Sequence, residues 1–367
     1  MLDIYRPTAI LNESLVKSHI HYMAEKARRN NATFRPHFKT HQSAEIGEWF
    51  ADEGVNAITC PSLDMAYYFA SHGWHDITVA FPANWLEIET INQLAAMIHL
   101  GLLVDSVETA RFLEENLESD IRVWLGVDSG YHRTGIDWQD TAQAIEIAQI
   151  IENSEMMTLS GLLTHAGHSY RPGEKSVATI YKESVQAMKS LRDSLAEAGF
   201  SGLKISVGDT PSMSILDDFL GVDEVRPGNF VFYDATQVQL GSCQLSDIAV
   251  AVACPVVAKY PEAGRLILYG GAVHLSKDHV QLDDGTVIYG YVALPDEENW
   301  AIPDPRYVLA SVSQEHGIMY PPADFMEKVN VGDIVLVFPA HSCLTVDMLK
   351  SYKTQSGREI SMYVPDY

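Results

Sequence analysis

The sequence predicts an α/β protein made of a (β/α)8 TIM-type barrel followed by a mostly-β domain, and three observations carry that reading. From about residue 30 to 235, roughly eight short β-rich runs alternate with amphipathic helical patterns, the order expected of strands wrapped by helices. From about residue 238 the helical periodicity fades, and strand-like runs follow one another across turns. Ionisable and small polar residues, finally, gather where the predicted barrel strands end, the face on which such barrels carry their chemistry. On these grounds the barrel is placed at residues 11–237 and the β domain at 238–367, with residues 1–10 compatible with packing on either.

The barrel begins with a helix, NESLVKSHIHYMAEKARRN, whose Asn12 is suited to cap the free N–H groups of its first turn. Strands are predicted at 33–39 (TFRPHFK), 55–60 (VNAITC), 76–81 (DITVAF) and 101–105 (GLLVD). Four more follow at 121–127 (IRVWLGV), 159–165 (LSGLLTH), 204–208 (KISVG) and 224–230 (EVRPGNF). Between them lie helical segments such as AQAIEIAQIIENS and ATIYKESVQAMKSLRDSLAEAG, the second ending at Gly199, a helix-stop residue. The later strands read as IAVAVACPVVAKY, GRLILYGG, GTVIYGYV and GDIVLVFPAH. A doubly wound open sheet is the alternative architecture, and no GxGxxG fingerprint follows the first strand to favour it.

The chain has 367 residues, 47% hydrophobic and 20% charged, so a folded globular protein with large cores is expected. A net charge of −24 argues against nucleic acid or an anionic membrane surface as a partner. The opening MLDIYRPTAI shows no basic stretch leading into an apolar one, and no apolar run is long enough to span a bilayer. Cys60, Cys243, Cys254 and Cys343 lie far apart, which fits free thiols and a cytoplasmic location.

Lys39 stands just after the first strand, between His37 and His41 in RPHFKTHQ. A lysine so placed is suited to covalent bonding with a bound group, with the neighbours serving that chemistry. The fifth strand runs into GVDSGYHRTG, with Asp128, His132 and Arg133, and the sixth ends in THAGH, with His165 and His168. The seventh leads to SVGDTPS, with Gly208, Thr210 and Ser212, and the eighth to RPGNFVFYD, with Arg226, Gly228, Asn229 and Tyr233. Taken singly, each has an ordinary explanation: a solvated lysine, a histidine that satisfies a backbone group, a turn. Together they describe more. Glycine and hydroxyl turns after the seventh and eighth strands stand where barrels bind phosphate, with a lysine across the mouth and an arginine between, the makings of a pyridoxal phosphate pocket.

A second pair, His341 and Cys343, closes the strand-like GDIVLVFPAHSC. In an extended chain residues two apart share a face, and a nitrogen–sulfur pair suits Zn2+ better than Mg2+ or Ca2+. H-x-C alone is a weak signal, and Cys343 also reads as a small buried hydrophobe. Glu315 and His316 in SQEHG are candidate supports of the pair, and Asp347 is a weaker candidate.

The motifs RPHFKTH, GVDSGYHRTG, LLTHAGH, SVGDTPS, EVRPGNF and PAHSC resemble, in this order, the D-serine dehydratase and D-threonine aldolase group. These are relatives of alanine racemase among the fold-type III pyridoxal phosphate enzymes, and the resemblance runs from about residue 5 to nearly the C-terminus. It implies a barrel of the alanine racemase N-terminal type, a β domain and a homodimer. Lys39 would be the Schiff-base lysine, Arg133 would lie near the cofactor's phenolic oxygen, His165 would line the ring and Arg226 would face the pyridine nitrogen. Gly208, Thr210, Gly228 and Asn229 match the phosphate-binding turns, and Tyr233 is grouped with them. The expected catalytic set is Lys39, His41 and Arg133. In the dehydratases His-x-Cys binds zinc, whereas many aldolases carry a different second ligand, so the resemblance implies Zn2+ at His341 and Cys343. The expected activity is that of a pyridoxal phosphate- and metal-dependent lyase acting on a small D-β-hydroxy amino acid: a D-serine or D-threonine dehydratase, eliminating the hydroxyl to give a 2-oxo acid and ammonia. The alternatives are a D-threonine or 3-hydroxy-D-aspartate aldolase, which breaks Cα–Cβ, and then an amino acid racemase, for which no opposite-face tyrosine stands out. A non-enzymatic pyridoxal phosphate carrier is the reading from another class, and the segment 238–367 argues against it.

Overall fold

The computed structural model describes residues 3–171, 173 and 175–365, which divide into two compact units. One contains Tyr22–Lys39 and Phe50–Gly228; the other gathers the chain up to His21, the segment Thr40–Trp49 and the chain from Asn229 onward.

The first unit is a parallel barrel. Its strands are Thr33–Phe34, Ile58–Cys60, Asp76–Pro82, His99–Val104, Ile121–Asp128, Met157–Leu163, Lys204–Val207 and Glu224–Val225. Seven neighbouring pairs run parallel in the order Thr33, Glu224, Lys204, Met157, Ile121, His99, Asp76, Ile58 by first residue. A parallel bridge between His37 and Thr59 joins the two ends of that path into a ring. The short strand Ile136–Asp137 adds to the edge of Ile121–Asp128. On Ile121–Asp128 the residues Ile121, Val123, Leu125 and Val127 are buried on one side, while Arg122, Trp124, Gly126 and Asp128 alternate with them. Trp124 forms a small apolar cluster with Leu103 and Leu163.

Helices follow the strands as the alternation predicts, and side chains suited to capping start several of them. Ser62, Ser106, Asp140 and Ser176 each accept the N–H of the residue three further on, at 3.1–3.3 Å. The longest of these helices, Val177–Glu197, ends before Gly199, whose φ of 105° serves a helix exit that side-chain-bearing residues rarely adopt.

Three strand predictions were clearly too long; that at 55–60 is a strand only at Ile58–Cys60. The segment 33–39 is a strand only at Thr33–Phe34, because Pro36 offers no N–H to a ladder, and the chain returns to pairing as the single bridge at His37. Likewise 224–230 is a strand only at Glu224–Val225; Pro227 follows, and Asn229–Val231 is a turn of 3-10 helix.

The second unit holds a ten-stranded sheet. Thr8–Leu11 pairs antiparallel with Val250–Tyr260 and parallel with Ser351–Thr354. Ile334–Pro339 lies on the other side of Val250–Tyr260, with Val252 opposite Val337. Alternation sorts the central strand between two cores: Val252, Cys254 and Val256 pack with Leu266, Leu268 and Phe325, whereas Ala251 and Ala253 pack with Ile10, Trp300 and Phe338. Cys254 behaves as a buried hydrophobe whose thiol burial pushes up, and all four cysteines are free. Among the described residues no helix is long and apolar enough to cross a membrane.

Candidate functional site

In the barrel unit the sequence-predicted residues meet at the C-terminal strand ends. Lys39 is exposed on the turn that follows the His37 bridge, and its backbone N–H points to His37 Nδ1 at 3.4 Å. His165 follows the strand Met157–Leu163, and its Nδ1 lies within hydrogen-bond distance of the Gly208 carbonyl. A carbonyl can only accept, so Nδ1 carries the proton and Nε2 keeps its lone pair. Burial, then the charge of Lys39, followed by Arg133 and Arg226, lowers the His165 ring to about 3. His37 is driven well below its ordinary value by burial and the same three cations. Lys39, Arg133 and Arg226 thus act together on two neutral imidazoles.

The arginines are held in different ways. Arg133 stands in an exposed loop organised by Asp128, which accepts from Gly130 N at 2.8 Å, His132 N at 3.0 Å and His132 Nδ1 at 2.9 Å. Its guanidinium lies 5.1 Å from the centre of the Tyr131 ring. Tyr131 meets His165 edge-on and His168 near face-on, and its ring lies against Gly167. Arg226 is buried; Nη1 donates to Ser206 Oγ and Nη2 to the Thr164 carbonyl at 2.7 Å. Its Nε has no hydrogen-bond partner among the described residues, and burial brings the guanidinium down to about 10. Gly208 approaches Arg226 so closely that a Cβ would meet its backbone at 2.8 Å. Thr210 opens the short helix Thr210–Ile215, capped by buried Asp209, and its N–H reaches the Tyr170 hydroxyl at 3.3 Å. Gly228 is the last residue of this unit.

The other predicted residues belong to the second unit. His41 is fully buried; its Nδ1 accepts from Ser43 N at 3.2 Å, and its carbonyl accepts from the Tyr352 hydroxyl at 2.9 Å. Burial takes its ring down to about 3. Tyr233 has φ 52° and meets the His19 ring edge-on at 5.0 Å. The Asn229 amide donates to Asp234 Oδ2 at 2.7 Å, Ser342 Oγ at 3.0 Å and Cys343 Sγ at 3.5 Å.

His341 and Cys343 come together, though not by strand alternation as expected. The strand ends at Pro339, His341 is the N-cap of the helix Ser342–Leu349, and Cys343 lies in its first turn. Asp234 fixes this turn by accepting from Ser342 N at 3.0 Å and Ser342 Oγ at 3.2 Å. His341 Nδ1 pairs with Asp278 Oδ2 at 2.7 Å. Burial opposes a charged ring, but the hydrogen bonds to Asp278 and Cys343, with the charges of Cys343 and Asp234, raise His341 to about 11. Thr40 Oγ1 lies 3.4 Å from Cys343 Sγ. Of the candidate supports, Glu315 stands 3.8 Å from His274 Nε2, and His316 lies in the strand His316–Met319. Asp347 is engaged by Gln42 Nε2 at 2.8 Å and Lys350 Nζ at 2.6 Å. Among the described residues no group of three or more His, Cys, Asp or Glu is gathered for a metal; the donor set is the one pair.

Asp278 and Tyr170 escaped the sequence reading, since nothing local marks them. Ser206 and Glu224 had a signal, each standing two residues before a predicted site residue, Gly208 and Arg226, and so on the same face of its strand.

A parallel barrel with a lysine at its mouth, joined in one chain to a β unit bearing a His–Cys pair, defines a class of pyridoxal phosphate-type enzymes. The chain belongs to the alanine racemase N-terminal domain family, whose model matches residues 11–236, and a serine dehydratase domain model matches residues 249–354. It is 29% identical to the D-serine dehydratase of Dictyostelium discoideum, over 95% of this chain and 93% of that one. It is also 29% identical to the D-threo-3-hydroxyaspartate dehydratase of Delftia sp., over 96% of this chain and 94% of that one. The solved structure of the Delftia enzyme matches with a TM-score of 0.90, 26% identity and 99% of each chain covered. A cysteine-to-alanine variant of that enzyme has been solved in a metal-free form and matches with a TM-score of 0.89 at 25% identity, covering 99% of each chain. In fold alone, a D-threonine aldolase of Filomicrobium marinum is similar, with a TM-score of 0.82 at 19% identity, over 98% of this chain and 95% of that one.

Proposed function

We propose that the protein is a pyridoxal phosphate- and zinc-dependent dehydratase of a small D-β-hydroxy amino acid, releasing a 2-oxo acid and ammonia. The observation that carries this reading is the pairing, within one family frame, of the Lys39 cluster with a His341–Cys343 pair backed by Asp278.

The residues fit both groups. Arg226 offers a buried Nε–H with no hydrogen-bond partner among the described residues, the donor a ring nitrogen accepts from. Lys39, Arg133 and Arg226 together supply the positive charge that a phosphate and a carboxylate require. An imidazole nitrogen beside a thiol, with a carboxylate on the imidazole's other nitrogen, is a zinc-type donor set; two protein ligands leave positions for water or substrate.

Pyridoxal phosphate, when bound, supplies an electron sink for charge developing on the carbon next to the amine, and zinc supplies a Lewis acid for the hydroxyl. In this reading Lys39 is the attachment residue, and its Nζ takes the proton from the substrate's Cα. His165 presents a neutral Nε2 beside the ring, because Gly208 holds the proton on Nδ1. Arg226 Nε would donate to the ring nitrogen, Arg133 would serve the phenolic oxygen, and Thr210 and Gly208 would serve the phosphate. His341 and Cys343 would hold the metal, with Asp278 orienting His341 and Asp234 fixing the turn that carries both. A homodimer belongs to the same reading.

Incubation with D-threonine, pyridoxal phosphate and zinc tests the reaction type. 2-Oxobutanoate and ammonia are expected. Glycine and acetaldehyde would replace elimination by aldol cleavage, and L-allo-threonine would replace it by epimerisation at Cα.

A further inference from the structure

A chain of polar contacts runs through the inside of the barrel and ends on Arg226. Arg226 Nη1 donates to Ser206 Oγ, and Ser206 donates in turn to Glu224 Oε1 at 2.6 Å. The other carboxylate oxygen of Glu224 accepts from Arg35 Nε at 2.6 Å. Arg35 Nη1 then pairs with Asp76 Oδ1 at 2.5 Å, and Arg122 closes on Asp76 from the next strand but one. Ser206, Glu224, Arg35 and Arg226 are all buried. The register explains how so many polar groups converge. Glu224 is the direct cross-strand partner of Ser206, and Glu224 and Arg226 are two apart and share a face.

A buried charge chain of this kind is costly to assemble and contributes little stability compared with apolar packing, so its geometry is its more telling property. Ser206 has one proton, and it goes to Glu224; its lone pairs are therefore left for Arg226. The Thr164 carbonyl takes the second terminal nitrogen of Arg226. Both ends of the guanidinium fork are thereby tied, and Nε remains as the donor without a partner.

We propose that Ser206 and Glu224 are positioning residues that orient Arg226, so that Nε, and not a terminal nitrogen, meets the ring nitrogen of the cofactor. Arg35 anchors Glu224 from behind. This rests on the placement of Arg226 against that ring nitrogen, which the test examines separately.

The test titrates pyridoxal phosphate into Ser206→Ala, Ser206→Thr, Glu224→Gln and Arg226→Lys proteins, reading the dissociation constant and the absorption band of the bound cofactor from neutral to alkaline pH. Ser206→Ala is expected to weaken cofactor binding by about tenfold, the worth of one hydrogen bond to a charged group. It should shift the band in the same direction as Arg226→Lys, and Ser206→Thr, which keeps the hydroxyl, should restore both. A role confined to packing would leave the band unmoved in every folded variant. Wild-type affinity and band in Ser206→Ala, beside altered values in Arg226→Lys, would overturn the proposal. An Arg226→Lys protein with unaltered affinity and band would instead remove the placement of Arg226. If Ser206→Ala does not fold, Glu224→Gln carries the same expectation, and an unmoved band there overturns the proposal equally.

Discussion

The two centres use histidine in opposite ways. In the barrel unit, His37 and His165 are recessed among Lys39, Arg133 and Arg226, and burial and these cations hold both rings neutral. In the second unit, His341 faces Asp278 and Cys343, which overcome burial and raise it to about 11. One centre concentrates positive charge around neutral imidazoles; the other concentrates negative charge around a charged one. In the proposed reading the first would take an anionic guest and the second a cation, so the same residue type would report the charge of what its neighbourhood holds.

If the comparison is right, the two centres separate by readout. Lys39→Ala should lower turnover by about 10³–10⁴-fold and abolish the visible band of the bound cofactor. A retained band would remove Lys39 from its role. Chelation, or Cys343→Ala, should lower elimination by about 10³-fold while the band stays, since the metal pair is not the attachment point. Loss of the band on chelation would merge what the comparison separates.

Removing Arg35 sharpens the contrast in the barrel. Arg35→Leu leaves Glu224 buried without its cation and should cost about 3 kcal/mol of stability, read from urea unfolding. In the second unit, Asp278→Asn should weaken metal binding by about 10–100-fold against a competing chelator, with the cofactor band unchanged. The smallest effect is a pH slope. His165 is near 3 in the folded chain against an ordinary 6.5, so between those values the unfolded chain binds more protons and stability rises with pH. Its contribution is complete above 6.5 and is lost as the pH falls toward 3. His165→Gln should therefore flatten the acid loss of stability by about 2 kcal/mol at about pH 5. An unchanged slope would mean that the ring is not held neutral.

The fold was legible because parallel strands buried on both faces make continuous apolar runs, and IRVWLGV or LSGLLTH can hardly be anything else. Their ends were less legible. The runs at 33–39 and 224–230 carry on past Pro36 and Pro227 with suitable residues, and only the missing N–H stops the ladder. The mouth residues were readable from strand ends, but FPAHSC gave no sign that the chain would turn into a helix at Ser342, so His341 and Cys343 come together by a geometry other than the strand alternation expected. Asp278 lies 63 residues before His341, and no local period links them. Arg35 and Glu224 were hidden differently: a charged residue in a strand reads as solvent-facing until its partner is known.

The shared face of Glu224 and Arg226 restricts which sequence changes this barrel accepts. Helices and loops tolerate insertions one residue at a time, but a single residue added between Glu224 and Arg226 would turn one of them out of the interior. Length in this segment is quantised in pairs, and descendants of this chain can drift there by substitution far more freely than by insertion or deletion.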